Sequence, residues 1–338
     1  MVVGIKDIAA YLGLSTSTVS RALNGYDDVA AETVRRVRQA SLQLGYYPSA
    51  SARNLRRQCT DRIGLALLFG SAFTTFNEFF AEVIRLVAAA AEKQDYNLVL
   101  YTRVGDDPRK LARLAQTREV DGLILLGDVP GVDEAIQGLL AAQMPLVILG
   151  RPAEHLAVDY VTADARQGAR LALEHLAGLG HRRIGYISFT SVSRYSLDRL
   201  AVYRAALAEV GLQFDERLVA YASLEPESGA RAIETLLALP EPPTAVYVYN
   251  DRLAIEVLQH LGQRGAAVPR DLAVVGFDDI RAARHTTPPL TTIRYPLAEM
   301  AEGAVSLLLA RQAEPAGVPA GVILPVELIV RQSTIGSG

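Results

Sequence analysis

The segment that most restricts this chain is Ile5-Lys6-Asp7-Ile8-Ala9-Ala10-Tyr11-Leu12-Gly13-Leu14-Ser15-Thr16-Ser17-Thr18-Val19-Ser20-Arg21-Ala22-Leu23-Asn24. Ile5, Ile8, Ala9 and Leu12 recur at helical spacing, so one face of a first short helix can enter a core. Gly13 follows, where a turn needs backbone freedom that a β-carbon would restrict. Ser15 stands where its hydroxyl caps a second helix, and Val19 with Leu23 gives that helix an apolar stripe. A third amphipathic helix is predicted over residues 31–44 from Val34, Val37 and Leu44. These elements make a three-helix head of helix-turn-helix type over residues 1–45.

The face of the second helix left outside that core carries Thr16, Ser17, Ser20 and Arg21. Short hydroxyl side chains let a helix approach base edges closely, and an arginine can span a guanine with two parallel hydrogen bonds. With Ser15 and Asn24 at its ends, this helix is the candidate DNA-reading surface. A small helical domain with polar caps is the plain alternative, but turn, cap and arginine together fit the helix-turn-helix template. Charge placement agrees: residues 1–60 carry a formal +4, whereas the whole chain is at −3, which leaves −7 on the rest. A basic head on an acidic body orients a protein on a polyanion.

Beyond the head the chain reads Tyr46-Tyr47-Pro48-Ser49-Ala50-Ser51-Ala52-Arg53-Asn54-Leu55-Arg56-Arg57. Pro48 suits a first helical turn, Ala50 and Ala52 are small enough for two such helices to approach, and Arg53, Arg56 and Arg57 can contact phosphates. Head and linker, with the body motifs below, give a chain that resembles the lactose-repressor (LacI) family of bacterial transcription regulators over nearly its whole length. The resemblance implies that residues 46–60 form a hinge helix, which orders on operator DNA and drives Leu55 into the minor groove. Unstacking a base step in this way costs roughly a few kcal/mol, recovered through added contacts.

At 338 residues, half of them apolar, the chain can bury a large core beyond the head. From Arg62 onward, strand-like runs at residues 63–69, 97–101, 122–126 and 145–149 alternate with helix-like stretches such as 79–93 and 133–142. A second series follows at 184–188, 218–221, 245–248 and 273–276. Two such series predict two doubly wound parallel sheets flanked by helices. The arrangement resembles periplasmic sugar-binding proteins, whose two lobes are joined by three chain crossings. With crossings near residues 160, 291 and 323, the N-terminal lobe takes 61–160 and 292–323, and the C-terminal lobe takes 161–291 and 324–338. The fold class expected is an all-α head plus an α/β periplasmic-binding-protein-like body.

Parallel sheets bind ligands beyond the carboxyl ends of their strands, which draws attention to Asn250-Asp251, Phe277-Asp278-Asp279 and Arg199. A guanidinium, an amide and a carboxylate can each pair with neighbouring hydroxyls. Taken alone, Asp251 reads as a helix cap and Asp279 as a turn residue. The resemblance implies effector contacts for Arg199, Asn250 and Asp278, with Phe79 and Tyr195 as further candidates. Leu224 stands where many relatives place an aromatic that stacks on the ligand, and Val202 replaces a usual glycine. The chain has no tryptophan, so an aliphatic wall against a sugar or compact polyol is expected rather than a stacked purine.

Other classes find little support. No phosphate-binding loop or dinucleotide fingerprint follows the first strand, and His155, His175, His181, His260 and His285 lack metal-ligand spacing. Cys59 is the only cysteine, so an internal disulfide and a multi-cysteine metal site are excluded. No apolar run approaches the roughly 20 residues that cross a bilayer, and no secretory pattern opens the chain. No heptad run follows Arg331 to make a coiled-coil tail. The expectation is a cytoplasmic, non-enzymatic repressor without cofactor, a homodimer or tetramer. It binds near-palindromic double-stranded operator DNA and a small-molecule effector, a carbohydrate. A purine-responsive regulator and a sugar carrier without a transcriptional role are the alternatives.

Overall fold

The computed structural model describes residues 3–24, 26–46, 59–69, 78–153, 155–189, 194–223 and 225–336, the side chains of 194–196 excepted. The chain divides into two compact units, residues 1–61 and 62–338.

In the first unit, α1 (Ile5–Leu12), α2 (Thr16–Leu23) and α3 (Ala31–Leu44) pack around Ile8, Ala9, Val19, Ala22, Val37 and Ala40. Asp7 accepts the Gly4 amide at 2.7 Å in the first turn of α1, and Gly13 ends that helix at φ 65°. The left-handed conformation there is the one that a glycine adopts without steric cost. Ser15 caps α2 by accepting from the Thr18 amide at 3.0 Å.

The second unit contains two six-stranded sheets. The first is ordered β11-β5-β4-β3-β1-β2, from β1 (Arg62–Leu68), β2 (Asn97–Tyr101), β3 (Gly122–Gly127), β4 (Leu146–Leu149), β5 (Asp159–Ala163) and β11 (Gly321–Leu324). The second is ordered β12-β10-β9-β8-β6-β7, from β6 (Ile184–Phe189), β7 (Val219–Ala222), β8 (Ala245–Val248), β9 (Ala273–Asp278), β10 (Thr291–Arg294) and β12 (Glu327–Ile329). All pairings are parallel except β10 with β12, where Thr292 faces Ile329.

Period-two side chains bury both faces of the inner strands. On β1, Ile63, Leu65 and Leu67 enter one core with α4 (Glu78–Glu92) and α11 (Leu297–Ala313), while Ala66 and Leu68 enter another with α5 (Lys110–Thr117) and α6 (Val132–Ala141). In the second lobe, α7 (Ala165–Gly178) and α8 (Arg194–Glu209) cover one face, and α9 (Ser228–Leu237) and α10 (Asp251–Gln263) the other. The cluster containing Leu65 runs on through Phe277 and Ile293, so one apolar core spans both lobes.

The crossings lie a few residues later than the sequence places them. Residues 161–163 complete β5 in the first sheet, 292–294 complete β10 in the second, and Leu324 ends β11 in the first. The chain therefore crosses at Asp164, at 295–296 and at 325–326. The physical reason is that each crossing comes only after a full strand has satisfied its ladder. Two hydrogen bonds tie the crossings together: the Asp164 amide to the Leu324 carbonyl at 2.8 Å, and the Val326 amide to Gln167 Oε1 at 2.8 Å.

Candidate functional site

Two sites emerge, one in each unit. On α2, Thr16, Ser17 and Arg21 face solvent, while Ser20 and Asn24 are half-buried. Several of these groups already have protein partners. Ser15 Oγ bonds to Ser17 Oγ at 2.7 Å and Thr18 Oγ1 at 2.8 Å, and Asn24 Nδ2 donates to the Ser20 carbonyl at 2.5 Å. Ser15 and Asn24 thus shape the helix ends, which leaves Thr16, Ser17 and Arg21 as its open polar face. Arg21 donates from Nε to Asp28 Oδ1 at 3.1 Å and from Nη2 to Asp28 Oδ2, with its Cζ 4.8 Å from the Tyr26 ring centroid. Neither Asp28 nor Tyr26 was singled out by sequence, because both lie in a turn without periodicity. Arg53 and Leu55 lie outside the described residues.

In the second unit the strand order reverses between β1 and β3 and between β6 and β8. Such switch points open a crevice at the carboxyl ends of the strands. In the second lobe Phe189 and Tyr249 stand there, ring centroids 5.5 Å apart. Arg199, buried on α8, reaches the same place: its Nη2 donates to the Tyr249 carbonyl at 3.0 Å, and its Cζ lies 4.0 Å from the Phe277 ring centroid and 5.2 Å from that of Tyr249. The guanidinium is thereby held over aromatic faces.

Asp278 ends β9 at φ 124° and is partly buried. Burial and the neighbouring Asp251 carboxylate push its carboxyl well up, against the pull of Arg199. Asn250 is the cap of α10, accepting from the Leu253 amide at 3.0 Å. That role uses Oδ1 and leaves Nδ2 without a hydrogen bond among the described residues. Asp251, expected as a cap, is instead fully buried, accepting from Thr292 Oγ1 at 2.5 Å and the Ile280 amide at 3.0 Å. Burial pushes its carboxyl up to about 7, with Asp279 adding to the rise and the two hydrogen bonds opposing it. Asp279 is likewise more than a turn residue. Its buried carboxylate pairs with Arg294 at 2.7 Å, Arg331 at 2.5 Å and Arg284 at 3.5 Å.

The first lobe supplies an aromatic and a charged wall. Phe79, at the start of α4, lies 5.6 Å from Tyr295 at the second crossing, and Tyr295 lies 4.9 Å from Phe277. Phe80 turns the other way, 4.5 Å from Phe69 at the end of β1. Beyond β3 and β4, the buried Arg151 donates from Nη2 to Asp133 Oδ1 at 3.3 Å, with its Nε 3.9 Å from Asp128. His155 Nε2 lies 2.8 Å from the other Asp133 oxygen. Burial raises the Asp133 carboxyl, but His155 and Arg151 together hold it below its ordinary range. Phe189, Tyr249, Tyr295 and Arg151 were missed by sequence, although Phe189 ends a strand, Tyr249 and Tyr295 directly follow strands and Arg151 lies two residues beyond one.

The structure therefore brings Arg199, Asn250, Asp278 and Phe79 to the carboxyl ends of the two sheets. Tyr195 lies in the first turn of α8 with its side chain outside the described residues, and Leu224 is also outside them. Among the described residues no helix is long and apolar enough to cross a membrane.

Comparison with known proteins agrees with this division. Residues 4–49 match the model of bacterial regulatory proteins of the lacI family, and residues 173–334 match a periplasmic binding protein-like domain. The chain is 34% identical to the ribose operon repressor of Haemophilus influenzae over 332 residues, covering 97% of this chain and 98% of that one. Among solved structures it is similar to a transcriptional regulator CelR–cellobiose complex, with TM-score 0.73, 32% identity and coverage of 98% and 99%. It is also similar to the lac repressor dimer bound to operator and the anti-inducer ONPF, with TM-score 0.86, 26% identity and coverage of 99% and 100%.

Proposed function

From the premise that this chain belongs to the lacI family of bacterial regulatory proteins, a DNA-binding transcriptional regulator with an effector-binding body, we propose how its own residues divide the work. Each head of a homodimer reads one half of a near-palindromic operator through Thr16, Ser17 and Arg21. Leu55, flanked by Arg53, opens the central step from the hinge. The effector is a carbohydrate held between the lobes. Arg199, Asn250 and Asp278 hydrogen-bond its hydroxyls, and Phe79, Phe189 and Tyr249 offer faces to its C–H surfaces. The observation that supports this reading is the guanidinium of Arg199, held over the Phe277 and Tyr249 rings near the buried Asp278 carboxyl. The CelR–cellobiose complex supports the effector class.

The effector controls DNA affinity only through unequal binding to two lobe arrangements. The protein works in the cytoplasm, as a repressor rather than an enzyme, and releases its ligand unchanged. A thermal-shift screen against mono- and disaccharides and purines tests the effector class, because a ligand of the folded state raises the melting temperature by mass action. Stabilisation by sugars and no shift with purines is expected; the reverse pattern overturns the carbohydrate assignment. A Leu55→Ala variant is expected to lose operator affinity much more than affinity for random duplex, and equal losses refute the wedge role.

A further inference from the structure

We infer that Asp28 is a specificity-determining positioning residue, which sets the guanidinium of Arg21 end-on for reading a guanine. The inference deepens the assignment of Arg21 as a base reader and rests on it. Arg21 lies in the last turn of α2, half-exposed, and its side chain is held on two sides. Asp28, from the turn before α3, accepts from both Nε and Nη2. Tyr26 lies against the guanidinium, its ring centroid 4.8 Å from Cζ, and its amide donates to the Arg21 carbonyl at 3.2 Å. The reading group and its two supports are thus one small assembly at the end of the recognition helix.

The donor count gives this assembly its meaning. A guanidinium has five N–H groups in a rigid planar fork. Asp28 takes the side-on pair, Nε–H and one Nη2–H. What remains is the pair of Nη1 hydrogens and the outer Nη2 hydrogen, and the end-on pair from Nη1 and Nη2 matches guanine O6 and N7. The same pairing neutralises Arg21 locally, so its attraction to any nearby phosphate is reduced. Asp28 therefore exchanges sequence-independent affinity for a fixed direction of reading. An arginine without this carboxylate keeps its charge, but its flexible side chain can turn to phosphate as readily as to a base.

The test uses the full chain and a library of randomised palindromic duplexes, from which bound sequences are recovered and counted. Wild-type protein is expected to enrich a guanine at one position of each half-site, and Arg21→Ala to lose that guanine alone. Asp28→Asn, which keeps the side-chain shape, and Asp28→Ala are both expected to lower preference for that guanine by roughly ten-fold or more while other positions hold. Both variants should also bind scrambled duplex more tightly and with a steeper salt dependence. In an Arg21→Ala background, Asp28→Ala should no longer change the base preference. Retention of the guanine by both Asp28 variants overturns the inference while leaving the DNA-reading assignment intact. Enrichment of the same guanine by Arg21→Ala overturns it as well. Failure of the wild type to enrich any sequence removes the DNA-reading assignment itself.

Discussion

The carboxylate of Glu78, the first residue of α4 in one lobe, accepts a hydrogen bond at 2.8 Å from the backbone amide of Ala282 in the other. Ala282 lies in the short 3-10 turn Arg281–Arg284, which comes just after Asp278 at the end of β9 and Asp279 beyond it. The Asp251–Ile280 hydrogen bond and the Asp279–Arg284 ion pair hold that turn. A ligand that shifts Asp278 thus moves a segment that the opposite lobe grips. Glu78→Ala is expected to accelerate hydrogen exchange at the Ala282 amide, with Glu78→Gln in between because it keeps an acceptor. Exposure limits the contribution of this bond to about 1 kcal/mol, so affinity for a ligand of the closed form should fall by about ten-fold or less. Equal exchange rates in all three proteins contradict the contact.

Arg199 is the group whose replacement should separate folding from response. Arg199→Lys keeps a positive charge but loses the planar surface on Phe277 and the second row of donors. The expected result is a folded dimer that binds operator normally and shows no thermal shift with the sugar that stabilises wild type. Arg199→Ala should in addition lower stability by roughly 1–3 kcal/mol, since the Tyr249 carbonyl loses its donor. Calorimetric melts with and without sugar check both, and a normal sugar shift in Arg199→Lys removes the residue from the site.

Local chemistry made the head legible. The glycine turn, the serine cap and the apolar spacing of α1 to α3 are all short-range, and each appears in the structure where the residues imply it. The central strands were legible for a related reason: buried on both faces, they read as continuous apolar runs. The strands β5, β10, β11 and β12 were not. Asp159–Ala163 and Thr291–Arg294 mix polar residues into four or five positions, and each has one of its two partner strands far along the chain. Within the cleft, Arg199 and Asp278 were reached through resemblance. Tyr295 depends on where a crossing falls and Arg151 on the path of the loop between β4 and β5, neither of which a local pattern encodes. Asp251 was misread because a carboxylate at a helix start resembles a cap until its neighbour Asn250 is seen to take that role.

The buried carboxyls of the second lobe make a pH dependence. Asp251 is pushed by burial up to about 7, and Asp278 is pushed up by burial and by Asp251. A carboxyl whose folded pKa exceeds its unfolded one binds more protons when folded. Its stabilisation is then complete below about pH 4 and is lost as pH rises through 7. Asp251→Asn removes one of these protons and relieves Asp278 of a like charge. Between pH 4 and 7 the melting temperature of wild type is expected to decline relative to that of the variant by several degrees, on the order set by a few kcal/mol in a chain of this size. Parallel curves for the two proteins over that range exclude the linkage.

Gly276 gives a sharper test of the same network. It faces Thr292 across β9 and β10, and a β-carbon placed on it would lie 2.2 Å from Asp251 Oδ1 and 3.0 Å from Leu290 Cδ2. The Asp251 carboxylate occupies the space above this glycine in order to reach the Thr292 hydroxyl. Gly276→Ala therefore forces the carboxylate off its donors, at a cost of roughly 1–3 kcal/mol from overpacking. If the clash with Asp251 is the cause, the cost must shrink when that carboxylate is absent. In a double-mutant cycle with Asp251→Ala, denaturant unfolding should show that Gly276→Ala costs markedly less than it does alone, a coupling expected of residues in direct contact. Additive losses would instead place the strain on Leu290 and separate the glycine from the effector-side network.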